Sequence, residues 1–151
     1  MMDVDATDKE ILKLIQEEFP LVRRPFADIA DRLGLAEAEV ISRIAALKDA
    51  GIIRRIGAVL DAGSVGVVTM LCAARIGPEH IEKVAAAVSS FRQVTHNYQR
   101  EGDYNLWFTV WGKDDQDLER TIHEIEEKAA ISVIRLPAVK TYKIRAVFDP
   151  A

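Results

Sequence analysis

Apolar residues recur at helical spacing from Thr7 to about Leu60, and from Gly63 onward the period shortens to that of strands. The first stretch predicts three helices. Thr7 or Asp8 caps a helix carrying Ile11, Leu12, Leu14 and Ile15, which Pro20 ends. Phe26–Leu33 follows, opened by Pro25 and stopped by Gly34. Ala36–Ala50 is the third, with Val40, Ile41, Ile44 and Leu47 as its apolar positions and Gly51 beyond its end. Two short strand-like stretches, Ile52–Ile56 and Ala58–Leu60, come next. Helices followed by a β wing are the order of a winged helix-turn-helix.

The second stretch reads as strand Val65–Ile76, helix Pro78–Ser90, and strands Gln93–Glu101 and Tyr104–Trp111 joined at Gly102-Asp103. Helix Asp114–Ala129 and an extended segment, Ile131–Phe148, interrupted near Pro137, complete it. The order βαββαβ is that of a ferredoxin-like sandwich, one sheet with two helices on one face. The expected fold class is therefore α+β. A winged helix-turn-helix domain over residues 1–62 precedes a ferredoxin-like domain over residues 63–151. The sheet's second face is left needing cover, from a partner subunit or a large ligand.

Composition narrows the function classes. With 151 residues, 49% hydrophobic and 29% charged, the chain suits a globular protein with a real core. No charged leader precedes an apolar stretch, and Arg75 ends the apolar run Val65–Ala74, so the expectation is a soluble, cytoplasmic protein with no membrane partner. The one cysteine, Cys72, lies in that run and reads as a small core residue, not as a metal ligand. Net charge is −4, and residues 1–63 hold nine Lys and Arg against twelve Asp and Glu. A DNA-binding half should be basic. The segment "AEAEVISR" sets Glu37 and Glu39 where a recognition helix meets the duplex, leaving Ser42 and Arg43 as plausible readers, so DNA is a disfavoured partner.

The hairpin "VTHNYQREGDYNLWFTVWG" is the chemically dense part of the chain. A two-residue turn at Gly102-Asp103 sets Glu101 opposite Tyr104, Arg100 opposite Asn105, Tyr98 opposite Trp107 and His96 opposite Thr109. Opposed residues share a face. One face then presents His96, Tyr98, Arg100, Asn105, Trp107, Thr109 and Trp111. The other carries Thr95, Asn97, Gln99, Tyr104, Leu106, Phe108 and Val110 toward the helices, and a one-residue bulge would swap part of this division. An aromatic floor with a cation and an imidazole suits a large, planar, acidic molecule. It equally suits a dimer interface, where Tyr, Trp and Arg are enriched. Further cations stand at Arg23-Arg24, at Arg54-Arg55, and at Lys140, Lys143 and Arg145. Each cluster reads as solvated surface, or together they line a cationic pocket between the two halves. His80 and His123 read as surface residues.

The whole chain resembles the Lrp/AsnC architecture. Within it "RPFADIADRLGL", "GIIRRIGAVLD" and above all "THNYQREGDYNLWFTVWG" resemble the siroheme decarboxylase subunits of the alternative haem and haem d1 pathways. The resemblance implies loss of CO2 from two acetate arms of siroheme, leaving methyls and giving 12,18-didecarboxysiroheme. The iron comes with the substrate, and no further metal or organic cofactor is implied. The partner implied is a related subunit, or a second copy of this chain. On this reading His96 shuttles the proton and Tyr98 is a second donor. Arg100, Arg54 and Arg55 hold carboxylates, with Lys140 and Arg145 as weaker candidates, and Trp107 and Trp111 pack on the macrocycle or on a partner. His96 can instead ligate the substrate iron or serve a structural role. Two competing readings are a transcription regulator of the Lrp/AsnC type and a non-catalytic tetrapyrrole sensor.

Overall fold

The structure, a computed structural model, describes residues 3–144 and 147–148. The chain divides into two compact units, Met1–Ala58 with Lys143–Ala151, and Val59–Tyr142. The division falls a few residues before the expected boundary at residue 62. The segment from Lys143 groups with the first unit, where the Phe148 backbone N–H donates to Gln16 Oε1 (3.1 Å) and Gln16 Nε2 donates to the Phe148 carbonyl (3.1 Å).

In the first unit, α1 (Ala6–Glu17) is capped by Asp5, two or three residues earlier than expected. Asp5 Oδ1 accepts from the Asp8 backbone N–H (2.8 Å) while Asp8 returns the bond to the Asp5 N–H (3.2 Å), a reciprocal cap that satisfies two donors at the helix start. Helix α2 (Pro25–Leu33) opens on Pro25 and closes at Gly34, whose φ of 67° is the left-handed conformation that ends helices. Helix α3 spans Glu37–Asp49. Ile11, Leu12, Ile29, Val40, Ile44 and Leu47 form the buried core between the three, whereas Ile41 is exposed.

The strands expected at Ile52–Ile56 and Ala58–Leu60 do not form. The backbone N–H groups of Ile52 and Ile53 both turn back to the Leu47 carbonyl (2.9 and 3.1 Å), closing α3 instead of entering a ladder. Ile53 alone of this stretch is buried, and Val59 and Leu60 are solvated, so no apolar face drives a second strand to pair.

The second unit is the expected βαββαβ sandwich: β1 (Val68–Ala74), α4 (Ile81–Ser89), β2 (Val94–Gln99), β3 (Leu106–Gly112), α5 (Asp115–Ala129) and β4 (Val133–Leu136). A short 3-10 turn, Pro78–His80, precedes α4. Strand order is β2-β3-β1-β4 with antiparallel neighbours throughout. Both helices pack on one face over Cys72, Ala74, Leu106, Phe108 and Val110. Strand β3 passes so close to α5 that a Cβ at Gly112 would stand 2.6 Å from the Leu118 backbone nitrogen. The last extended segment pairs over only four residues, because Pro137 has no N–H to continue the ladder.

Candidate functional site

The site is built on the β2–β3 hairpin. His96 lies opposite Thr109 and Tyr98 opposite Trp107, and the Arg100 N–H donates to the Asn105 carbonyl (2.9 Å), which is the register expected from the turn. The strands end at Gln99 and Leu106, so Glu101 and Tyr104 lie in the loop and not in a closing pair. Along β3 buried Leu106, Phe108 and Val110 alternate with half-buried Trp107, Thr109 and Trp111. Helices cover the first set, and the second lies on the open face.

That face holds a depression of about 340 Å³ lined by Leu71, His96, Tyr98, Arg100, Trp107, Phe108 and Thr109. Four of the expected site residues, His96, Tyr98, Arg100 and Trp107, therefore share one concavity. The His96 and Tyr98 rings stack with centroids 6.1 Å apart, and the Arg100 guanidinium carbon lies 6.0 Å from the Tyr98 centroid. Imidazole, phenol and guanidinium thus stand in a row at the two-residue spacing of one strand. Among the described residues no carboxylate pairs with Arg100, unlike Arg43, Arg75 and Arg135. The indole N–H of Trp107 donates to the Tyr104 carbonyl (2.7 Å), which fixes the ring beside the depression.

Two expectations for this face change. Asn105 is withdrawn from it: its Oδ1 accepts from the Ile76 N–H (2.9 Å) and its Nδ2 donates to the Ile76 carbonyl (2.8 Å). Thr95 is brought toward it by a register shift between Val94 and His96, which sets its hydroxyl 3.1 Å from His96 Nδ1. Leu71 is a floor residue that the hairpin alone does not reveal. It lies opposite Thr109 on the neighbouring strand and is 42% exposed, and strand alternation from buried Cys72 is the signal that finds it.

Among the described residues no other candidate cation lines the depression. Arg54 and Arg55 belong to the first unit, where Arg55 donates to the Ala58 carbonyl (3.1 Å). Lys140 lies after β4 with its ammonium 4.9 Å from the Tyr142 ring centroid. Arg145 lies outside the described residues. A larger cavity of about 680 Å³ opens between α4, the end of α5 and the start of β4. Its lining holds none of the expected site residues, and two of its cations are engaged, Arg75 with Asp103 (3.0 Å) and Lys128 with the Ser90 hydroxyl (2.8 Å).

Elsewhere the ionisable groups serve structure. Burial pushes the Cys72 thiol up to about 12, which keeps it protonated and inert in the core. Among the described residues no three His, Cys, Asp or Glu side chains gather as a metal site, and no helix is long and apolar enough to cross a membrane. In the helical unit Arg43 donates to Asp5 and Asp8 (2.9 Å each) and to Glu39 (3.1 Å), and the bond to Asp5 leads in holding its guanidinium charged. One of the two plausible base readers is therefore occupied within its own domain.

Helices followed by this sandwich define a chain of the Lrp/AsnC class. Residues 64–143 match the AsnC-like ligand binding domain, and the fold superposes on Escherichia coli AsnC with a TM-score of 0.80 over 99% of this chain and 100% of that one, at 21% identity. The helical unit is more particular: residues 8–54 match the siroheme decarboxylase NirDL-like HTH domain. The siroheme decarboxylase alpha subunit of Oleidesulfovibrio alaskensis is 42% identical over 153 residues, covering 99% of this chain and 93% of the relative. A crystal structure of the siroheme decarboxylase NirDL in complex with an iron-uroporphyrin III analogue aligns with a TM-score of 0.66 at 32% identity, over 91% of this chain and 47% of that one. The chain belongs to the siroheme decarboxylase family.

Proposed function

We propose that this chain is a subunit of a siroheme decarboxylase and that the open face of its sheet is where the tetrapyrrole sits. The reaction is loss of CO2 from two acetate arms, giving 12,18-didecarboxysiroheme. The observation that carries this reading is the depression itself, in which an imidazole, a phenol and an arginine that pairs with no carboxylate among the described residues surround an apolar floor. Iron enters as part of the substrate, and the reading requires no other cofactor.

Each decarboxylation consumes one proton. Protonation of the ring carbon adjacent to the one that bears the acetate arm creates an electron sink. The bond to the carboxylate then breaks, its electron pair forms an exocyclic methylene, and CO2 leaves. Protonation of the methylene carbon and loss of the proton first added to the ring restore the macrocycle with a methyl in place of the acetate. His96 is the group assigned to both proton deliveries, since imidazole gives and takes protons near neutral pH, and Tyr98 is the second donor. Arg100 holds a carboxylate that stays on the substrate. Gripping the departing one would stabilise the ground state and slow the step. Trp107 and Leu71 supply flat apolar area for one side of the macrocycle.

A shallow depression covers only one side of a planar tetrapyrrole, so the other side falls to a second subunit, either a related chain or another copy of this one. In the same reading the enzyme works in the cytoplasm. Recovery of the protein in the membrane or exported fraction overturns that location.

The test is anaerobic incubation with siroheme, alone and with the related subunit, followed by product masses. Two successive losses of CO2 are expected. Binding without mass loss when both subunits are present means a sensor, and no binding at all returns the chain to the regulators.

A further inference from the structure

The ladder between β2 and β3 contains one irregularity. Val94 lies opposite Val110 and His96 opposite Thr109, so Thr95 is an extra residue with no partner across the pair. In an unbroken strand Thr95 and His96 would point to opposite faces. The bulge instead places the Thr95 hydroxyl 3.1 Å from His96 Nδ1. The same hydroxyl donates, in a long bond of 3.5 Å, to the carbonyl of Thr109, the residue opposite His96.

These two contacts couple the imidazole hydrogen to the Thr95 hydroxyl. A hydroxyl has a single proton, and when that of Thr95 goes to the Thr109 carbonyl the oxygen accepts toward His96. His96 Nδ1 then carries a hydrogen. In the neutral ring this leaves Nε2 with the free lone pair. The β-branched threonine side chain has few rotamers, which holds the acceptor in place.

We propose that Thr95, through the bulge, is a positioning residue that fixes the tautomer and orientation of His96 so that Nε2 alone exchanges protons at the open face. The inference rests on the reading of His96 as the proton carrier of the decarboxylase. For each delivery Nε2 takes a proton from solvent to form the imidazolium, then gives it to the substrate carbon. The Nδ1–H bond to Thr95 is kept throughout. The ring returns to its starting tautomer, with one proton taken up and one delivered.

Thr95→Val keeps the shape of the side chain and removes the hydroxyl, and Thr95→Ser keeps the hydroxyl. The chain has three histidines, His80, His96 and His123, so nitrogen-15 spectra of histidine-labelled, ligand-free protein resolve His96, assigned by its loss in His96→Ala. The wild type is expected to hold neutral His96 as the Nδ1–H tautomer. Thr95→Val is expected to move it to the Nε2–H form that free histidine favours. The decarboxylation rate of the complete enzyme should fall about tenfold, the effect of one lost orienting hydrogen bond, while siroheme affinity is kept. Thr95→Ser should restore both tautomer and rate. Should the valine variant fail to fold, Thr95→Ala is read in the same way. Unchanged tautomer and rate in the hydroxyl-free variant, with His96→Ala inactive, overturn the role of Thr95 and leave that of His96 standing. Full activity in His96→Ala overturns both.

Discussion

Arg100 differs from the other well-placed arginines in what it touches. Arg43 and Arg135 each pair with two or more carboxylates, whereas among the described residues the Arg100 guanidinium neighbours the Tyr98 ring and no carboxylate. A guanidinium with its donors free is suited to a two-pronged bond with a ligand carboxylate. Arg100→Ala is therefore expected to weaken siroheme binding about 10- to 100-fold, the worth of a hydrogen bond to a charged group. An absorbance titration checks this, and unchanged affinity removes Arg100 from the site. His96→Ala is expected to slow decarboxylation by about 100-fold or more, the usual reach of a general acid. Its melting temperature should stay unchanged, because the imidazole is exposed and packs into no core. The faces of these residues are legible in the sequence because a strand alternates strictly and the turn sets the register. The side-chain bonds of Asn105 to Ile76 and the approach of Leu71 depend on a strand far away in the chain, so local reasoning misses both.

Two elements carry the geometry of the hairpin and the edge of the sheet. Gly102 has φ 118°, a conformation that side chains resist. Gly102→Ala should cost about 1–2 kcal/mol by denaturant unfolding, and no loss of stability would show that the loop tolerates another path. On the other edge, Glu126 of α5 accepts from the Val133 N–H (2.9 Å) and takes both Nη groups of Arg135 (3.2 and 3.0 Å), tying β4 to the helix. The Arg135 hydrogen bonds hold the Glu126 carboxyl below the usual glutamate range. A carboxyl lowered on folding stabilises the fold at neutral pH, and that contribution is lost as pH falls from the ordinary value of about 4.3 through the lowered one. Glu126→Ala should cost about 2 kcal/mol at pH 7 and flatten the acid limb of stability against pH. An unaltered acid limb would place the coupling elsewhere. Helices α1 to α5 are all foreshadowed by periodicity, proline and glycine. Strand ends are not, since Pro137 stops β4 by removing a donor and the expected wing loses its donors to the end of α3.

At the scale of the whole molecule, a regulator-like architecture carries a site whose chemistry is not that of a DNA reader. Residues 1–63 carry more acidic than basic side chains, and one of the two plausible readers, Arg43, is bound by Asp5, Asp8 and Glu39. The sandwich gathers His96, Tyr98, Arg100 and Trp107 around one depression on the sheet face that the helices leave open. The order of helices and strands was readable because its periods change at Gly63. The return of the segment from Lys143 to the first unit was not, since it depends on tertiary contacts such as that of Phe148 with Gln16. The most direct test of decarboxylation at this face is the mass of the product formed from siroheme in deuterated water, anaerobically, by the complete enzyme with wild-type chain and with His96→Ala. The wild type should remove two CO2 and place one deuterium in each new methyl, and His96→Ala should leave the siroheme largely unchanged over the same time. Equal turnover by the two proteins, or siroheme returned intact by the wild type, would contradict it.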